Sequence, residues 1–326
     1  MNIAIIGSGT WGVALATHLA KKGNIIKMWS HTQEDADSLN NDRVCKHLPN
    51  IVLDRHISAS TNIEEVLKDT EMILHVTPSK FVRETIQRYK MYVKNQPVIL
   101  CSKGFESSTL YTLSQVVEEE MPNVKYGVLS GPSHAEEVSI EIPTAIVVAS
   151  KDEKLRDLLQ VIFMNDKLRV YTSDDVLGVE LGGALKNIIA FCAGIAAELN
   201  LGDNSFAALI TRGLVEISRL GIAMGGKHDT FYGLSGLGDL IVTCMSEHSR
   251  NRRAGRLIGK GYTVEQAKAE IGMVIESIDN IEVTHKLAQK YNIEMPIVNA
   301  VYDVLYKKLT PKDAVTRLMT RTKKSE

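Results

Sequence analysis

The chain predicts an α/β domain built on a mostly parallel sheet, followed by an all-helical domain. Three observations carry this. Short apolar runs alternate with helix-like stretches from the N-terminus to Tyr171, the pattern of a sheet with helices on both faces. Beyond Tyr171 no run reads as a strand, and the segments show helical spacing broken by glycine loops. The 326 residues are enough for about two domains. The boundary falls at Asp174-Asp175, which gives an N-terminal domain over 1–174 and a helical domain over 175–326.

The first element is the most telling. Asn2-Ile3-Ala4-Ile5-Ile6 is an apolar strand run, Gly7-Ser8-Gly9-Thr10-Trp11-Gly12 follows at once, and Val13 to Ala20 suits a helix. Strand, G-x-G-x-x-G, helix is the setting in which the glycines mean Rossmann-type dinucleotide binding. Gly7 would make the tight turn, Gly9 would let backbone approach a pyrophosphate, and Gly12 would let helix and sheet pack closely. The helix N-terminus would face the phosphates with unpaired N–H groups. Trp11 reads either as a wall of the cofactor pocket or as plain packing.

Ile25 to Trp29 is the second strand, and its end bears on cofactor choice. An NAD-selective site carries an acid about 20 residues past the glycines. Here the corner is Ser30-His31-Thr32, with Glu34 and Asp35 already in the next helix. That favours NADP(H) or dual use, unless Glu34 or Asp35 swings back.

Further βα units follow. Ile57 to Ser60 is a strand, and Asn62 caps a helix over 63–68. Met72 to Val76 is a strand that ends at Thr77-Pro78-Ser79, and Val98 to Cys101 ends at Ser102-Lys103-Gly104. Ligands bind at such strand ends, so Lys103 is a candidate contact; the alternative is a solvated loop charge. Tyr126 to Leu129 leads into Gly131-Pro132-Ser133, where Ser133 reads as a helix N-cap. Thr144 to Ala149 and Leu168 to Tyr171 complete the strands.

In the second half, Leu181 to Ile195 is apolar nearly all round and should be buried, with small residues that let backbones approach. Gly182 and Gly183 lie one turn before Lys186, and Ile189 and Ala190 one turn after, so a partner must come from another element. A buried lysine so placed suits a general acid or base; the bland alternative is a lysine that snorkels to solvent. Gly233, Gly236 and Gly238 beside Asp239 suggest a tight loop that fixes Asp239 at a ligand, though Asp239 could equally cap the next helix. Ser249 suits an N-cap, and Arg250, Arg252 and Arg253 in the first turn oppose the helix dipole. They make sense where a phosphate sits at that end, or as a solvated basic turn. Thr263 to Gln266 reads as a structural capping box. Lys323-Lys324-Ser325-Glu326 reads as a frayed tail.

Composition narrows the class. Hydrophobic residues make up 44% and charged residues 24%, as in ordinary globular proteins. A net charge of -1 gives no broad basic field for nucleic acid or anionic membrane. Cys45, Cys101, Cys192 and Cys244 share no C-x-x-C spacing and read as reduced cysteines of a cytoplasmic protein without a metal cage. Met1 runs almost directly into the first strand, which leaves no room for a signal peptide. The best candidate for a membrane span, Ile188 to Leu199, is too short.

A cofactor site, a buried lysine and a basic helix start describe the reduction of a small phosphorylated ketone. With Ser102-Lys103-Gly104, Ser130-Gly131-Pro132-Ser133, Leu185-Lys186-Asn187, Gly236 to Leu240 and Ser249-Arg250-Asn251, the opening turn occurs in one order and spacing. Over residues 1 to about 310 this resembles the NAD(P)-dependent glycerol-3-phosphate dehydrogenase family of bacterial type. Thr10, Cys101-Ser102 and the Ile275 and Ser277 that flank Glu276 depart from its usual residues.

The resemblance implies interconversion of dihydroxyacetone phosphate and sn-glycerol 3-phosphate with NADP(H) or NAD(H), feeding glycerophospholipid synthesis, and a homodimer. Lys186 would exchange the proton of the C2 oxygen. Lys103, Gly131, Ser133, Lys186, Asp239, Ser249, Arg250 and Asn251 would contact substrate. Cofactor would meet Gly7, Gly9, Thr10, Trp11, Gly12, His31, Lys103, Ala135, Arg250, Val274 and Glu276. A related dehydrogenase of 3-hydroxy acids and a non-catalytic NADP(H) sensor are the rivals.

Overall fold

The structure, a computed structural model, describes residues 1–323 and 325. Lys324 and Glu326, part of the tail expected to fray, lie outside the described residues. The chain divides into two compact units, one of Met1–Glu106 with Tyr111–Glu180 and one of Ser107–Leu110 with Leu181 onward.

The N-terminal unit runs β1 (Asn2–Ile6), α1 (Thr10–Lys21), β2 (Ile25–Trp29), α2 (Gln33–Asp37), β3 (Ile57–Ser60), α3 (Ile63–Leu67), β4 (Met72–His75), α4 (Val82–Tyr89) and β5 (Val98–Leu100). It continues with β6 (Phe105–Glu106), β7 (Tyr111–Thr112), α5 (Leu113–Glu120), β8 (Tyr126–Ser130), α6 (Ala135–Ser139), β9 (Thr144–Ala149), α7 (Glu153–Phe163) and β10 (Leu168–Ser173).

One sheet holds eight strands in the order β10-β9-β8-β5-β4-β1-β2-β3. All neighbours pair parallel except β8 and β9. The connection through α6 returns along the same sheet end instead of crossing over. Ile3, Ala4, Ile5 and Ile6 are all fully buried, as a strand covered on both faces requires. The short β6–β7 hairpin, with Phe105 opposite Thr112, was not foreseen; two-residue strands are too short to show alternation. β1 lies between β2 and β4, so the winding direction reverses there, and the crevice at the carboxyl ends of β1 and β4 is the place for a ligand.

The C-terminal unit is helical: α8 (Val176–Glu198, its first turn grouped with the N-terminal unit), α9 (Gly202–Ala223), α10 (His228–Tyr232), α11 (Asp239–Met245), α12 (Arg250–Gly259), α13 (Val264–Ile271), α14 (Glu276–Lys290), α15 (Pro296–Tyr306) and α16 (Pro311–Met319). Pro296 and Pro311 open helices at their first turn, where a missing N–H costs nothing.

α8 is longer than its expected apolar core. Its 23 residues suffice, by length and composition alone, to cross a membrane, but 89% of the window is buried inside the protein. Its small residues do let backbone approach. A Cβ on Gly194 would stand 1.9 Å from the Arg252 carbonyl oxygen, and one on Gly255 would stand 1.9 Å from that of Phe191. α8 and α12 therefore touch backbone to backbone, which brings the start of α12 beside the middle of α8.

Candidate active site

The glycine turn is shaped by contacts that only glycine allows. Gly7 has φ +120°, and a Cβ there would meet Val76 C at 3.1 Å and Thr77 N at 3.2 Å. A Cβ on Gly12 would stand 2.2 Å from the Gly7 carbonyl oxygen, so the start of α1 is clamped onto the turn. Gly9 differs: nothing lies within 4 Å of its Cβ position, which leaves the backbone open to a ligand. Thr10 opens α1, whose first turn carries no acid. Trp11 is half-buried, and its indole Nε1 is buried without a partner in the structure. An open Gly9 face, an acid-free helix start and an orphan donor fit a dinucleotide phosphate.

His31 is exposed beside Trp29, ring centroids 6.1 Å apart. Asp35 does not swing back: it accepts from the Thr32 hydroxyl at 2.7 Å while Thr32 caps α2 through the Asp35 N–H. The exposed Glu34 lies in the same first turn. On the far side of the crevice, Lys103 Nζ donates to the Gly131 carbonyl at 3.0 Å, and Ser133 Oγ donates to the same oxygen at 2.9 Å. Ser133 is thus not the N-cap expected of it. His134 takes that position without a side-chain bond, because the hydroxyl is turned back onto Gly131. Ala135 opens α6 and is buried.

In the helical unit, Lys186 is 6% exposed. Its Nζ donates to Asp239 Oδ1 at 2.5 Å and to Thr243 Oγ1 at 2.5 Å, so the partner does come from another element. Lys186 does not snorkel. Asp239 is 1% exposed and opens α11 without capping it; its carboxylate is committed to the lysine. The glycines before it form one turn of π-helix, Leu234–Gly238, instead of a loop. Gly182 permits this turn to lie on α8, since a Cβ there would stand 2.6 Å from the Ser235 carbonyl oxygen.

Thr243 was missed by sequence reasoning. Its signal was present: it lies four residues after Asp239 on one helix, hence on the same face. Asn187, next to Lys186 on α8, accepts from Asn251 Nδ2 at 2.9 Å. Asn251 Oδ1 in turn accepts the Ser277 N–H at 3.0 Å. Ser249 caps α12, accepting the Arg252 N–H at 3.2 Å. Arg250 donates to the Val274 carbonyl at 3.2 Å, just before half-buried Glu276 opens α14. The three arginines are not a uniform anion cradle, because Arg252 is bound to Glu247 and Arg253 is exposed.

A dinucleotide-type α/β unit together with a helical unit that buries a lysine–aspartate pair defines an NAD(P)-dependent dehydrogenase. Comparison with known proteins carries this further. The profile described as NAD-dependent glycerol-3-phosphate dehydrogenase N-terminus matches residues 2–156, and the profile of its C-terminus matches 175–316. A glycerol-3-phosphate dehydrogenase [NAD(P)+] of Fusobacterium nucleatum is 49% identical over 100% of this chain and 98% of its own. One of Agathobacter rectalis is 46% identical over 100% and 97%. The crystal structure of glycerol-3-phosphate dehydrogenase from Coxiella burnetii, 40% identical, covers 98% of this chain and 99% of its own with a TM-score of 0.95. The chain belongs to the NAD-dependent glycerol-3-phosphate dehydrogenase family.

Proposed function

We propose that this enzyme interconverts dihydroxyacetone phosphate and sn-glycerol 3-phosphate with NAD(P)H, and that Lys186 exchanges the proton of the C2 oxygen. The observation that carries the reading is the buried Lys186–Asp239–Thr243 cluster. Asp239 and Thr243 fix Nζ in one place, so the proton donor is oriented before substrate arrives.

A nicotinamide cofactor held at the turn from Gly7 to Gly12 would supply the hydride in reduction. Lys186 then gives its proton to the alkoxide forming at C2, and in oxidation it takes that proton back. Ser249, Arg250 and Asn251 at the start of α12 hold the phosphate through N–H groups and a guanidinium. Asn251 is braced for this by Asn187 and the Ser277 N–H. Lys103, Gly131 and Ser133 supply further substrate contacts. The turn from Gly7 to Gly12 with Thr10, Trp11 and His31 binds the cofactor, joined by Ala135, Val274 and Glu276. Thr32 ties up Asp35 at the corner after β2, which supports use of NADP(H) as well as NAD(H). The product feeds glycerophospholipid synthesis.

The test is direct. Dihydroxyacetone phosphate added to enzyme with NADPH or NADH should consume the reduced cofactor, and the two initial rates give the preference. Absence of turnover with both cofactors would overturn the reading.

A further inference from the structure

Three buried side chains around the end of β4 take no part in the proposed reaction, yet they form a line that ends beside the glycine turn. His75, the last residue of β4, is 0% exposed. Its Nδ1 stands 3.1 Å from the Tyr89 hydroxyl on α4, and its Nε2 stands 2.7 Å from Thr77 Oγ1. Tyr89 is equally buried.

Every group in the line is neutral. Burial pushes His75 down to about 3, so the ring is neutral, with one donor and one acceptor nitrogen. Burial raises Tyr89 above its ordinary range, so its hydroxyl keeps its hydrogen, and the Tyr89 and Thr77 hydroxyls can each donate to or accept from the ring. One ring nitrogen donates and the other accepts, and the bond at Nε2 fixes the rotation of the Thr77 side chain.

Thr77 sits at the point where the strand order reverses. The Val76 N–H donates to the Ile6 carbonyl at 2.9 Å, and the Thr77 amide nitrogen lies 3.2 Å from where a Gly7 Cβ would be. The backbone of His75 and Thr77 also meets the next loop. The His75 carbonyl accepts the Cys101 N–H at 2.9 Å, and Ser102 Oγ donates to the Thr77 carbonyl at 2.5 Å, one residue before Lys103.

We propose that His75 is a positioning residue for the dinucleotide: through Nε2 it holds the Thr77 side chain in place for a contact with the pyrophosphate–ribose segment beside the glycine turn. This rests on the cofactor site proposed above. It assigns that site a contact, Thr77, and a residue behind it that never touches the ligand.

The experiment is a fluorescence titration of the whole enzyme with NADPH and NADH, alongside steady-state kinetics, for Thr77→Val, Thr77→Ser, His75→Leu and His75→Gln. Thr77→Val and His75→Leu should raise Kd and KM for NAD(P)H about ten-fold, the loss of one hydrogen bond to a charged group. Combining the two changes should cost little more than either alone, because both cut one line. Thr77→Ser should restore affinity, while kcat and the KM for dihydroxyacetone phosphate stay within about two-fold in all folded variants.

A folded Thr77→Val enzyme with wild-type affinity for both cofactors would overturn the assignment. So would a loss that falls equally on kcat and both KM values. If His75→Leu does not fold, Thr77→Val and His75→Gln carry the same test. A wild-type enzyme that binds NAD(P)H without reducing dihydroxyacetone phosphate overturns the proposed reaction alone, since the titration reads cofactor binding directly. One that binds neither cofactor overturns both.

Discussion

The glycine turn of the N-terminal unit and the lysine centre of the helical unit are built from different materials. The turn is backbone: its key distances are Cβ positions that clash or stay open within six consecutive residues. The lysine centre is side chain, assembled from α8, α11, α12 and α14 by bonds that span 53, 57 and 64 residues of sequence. Substitutions in the turn should therefore act through shape, so that folding and ligand affinity can be separated. Substitutions in the centre should act through charge, which ties activity and stability together.

The largest effect belongs to the centre. Lys186→Met should lower kcat by about 10²–10⁴-fold, the range for a lost general acid, with NAD(P)H affinity unchanged. It should also destabilise by about 3–5 kcal/mol, because the buried Asp239 carboxylate loses the lysine charge that offsets its burial. Adding Asp239→Leu should return most of that stability and none of the activity. Urea unfolding of both singles and the double decides the matter; a double no more stable than the singles would mean that the pair is not coupled.

This difference in material also explains what could be read in advance. The turn, the strand alternation and the cap residues Asn62, Ser249 and Thr263 are local, so the sequence displays them directly. Lys186 was legible by exclusion, since its own helix offered it no partner, but the choice of Asp239 needed the fold. Ser133 was misread because a serine after Gly-Pro can bond forward to a helix or back to a carbonyl, and the choice depends on Gly131 at φ +121°. The π-helical turn before Asp239 depends on Gly182, which lies 52 or more residues upstream of it in sequence. His75 and Tyr89 look like ordinary strand and helix residues, and nothing in their neighbours in sequence reveals the bond between them.

A second buried acid shows that burial alone does not make a site. Glu216 on α9 is 4% exposed and accepts the N–H groups of Ile297 and Val298, at 2.7 and 3.2 Å, at the start of α15. Burial outweighs these donors and raises its carboxyl to about 7 from an ordinary 4.5. The folded protein thus holds a proton that the unfolded chain has released. Stability from this group is full below 4.5 and is lost as pH rises to about 7, a change of about 3 kcal/mol. Glu216→Gln, which resembles the protonated acid, should match wild type near pH 4.5 and exceed it at pH 7 and above. A stability difference that is flat across this window would show that Glu216 does not titrate there. Activity per folded molecule should not change.

Next in size, two glycines six residues or fewer from β1 should separate shape from binding. Gly12→Ala places a methyl 2.2 Å from a backbone oxygen and should destabilise by about 1–3 kcal/mol. Gly9→Ala fills open space, so unfolding should be nearly unchanged while the Kd for NAD(P)H rises about ten-fold, as a methyl displaces the phosphate from the backbone. Equal losses of stability in the two variants would undo the claim that the turn has one packed glycine and one exposed to ligand.

The smallest effect compares two helix caps of the same chemistry in the helical unit. Thr263 Oγ1 accepts the Gln266 N–H at 3.2 Å, and Gln266 Oε1 accepts the Thr263 N–H at 2.8 Å, on the exposed start of α13. Ser249 Oγ accepts the Arg252 N–H at the same 3.2 Å, but it is 4% exposed and stands at the start of α12 beside Arg250 and Asn251. Either hydroxyl replaced by alanine should cost about 1 kcal/mol of stability, the usual value of an N-cap. Kinetics should part them. Thr263→Ala should leave every constant at wild type, whereas Ser249→Ala should raise the KM for dihydroxyacetone phosphate and leave the KM for NAD(P)H alone. If the Ser249 variant behaves like the Thr263 variant, the start of α12 is a structural cap and the substrate phosphate is held elsewhere.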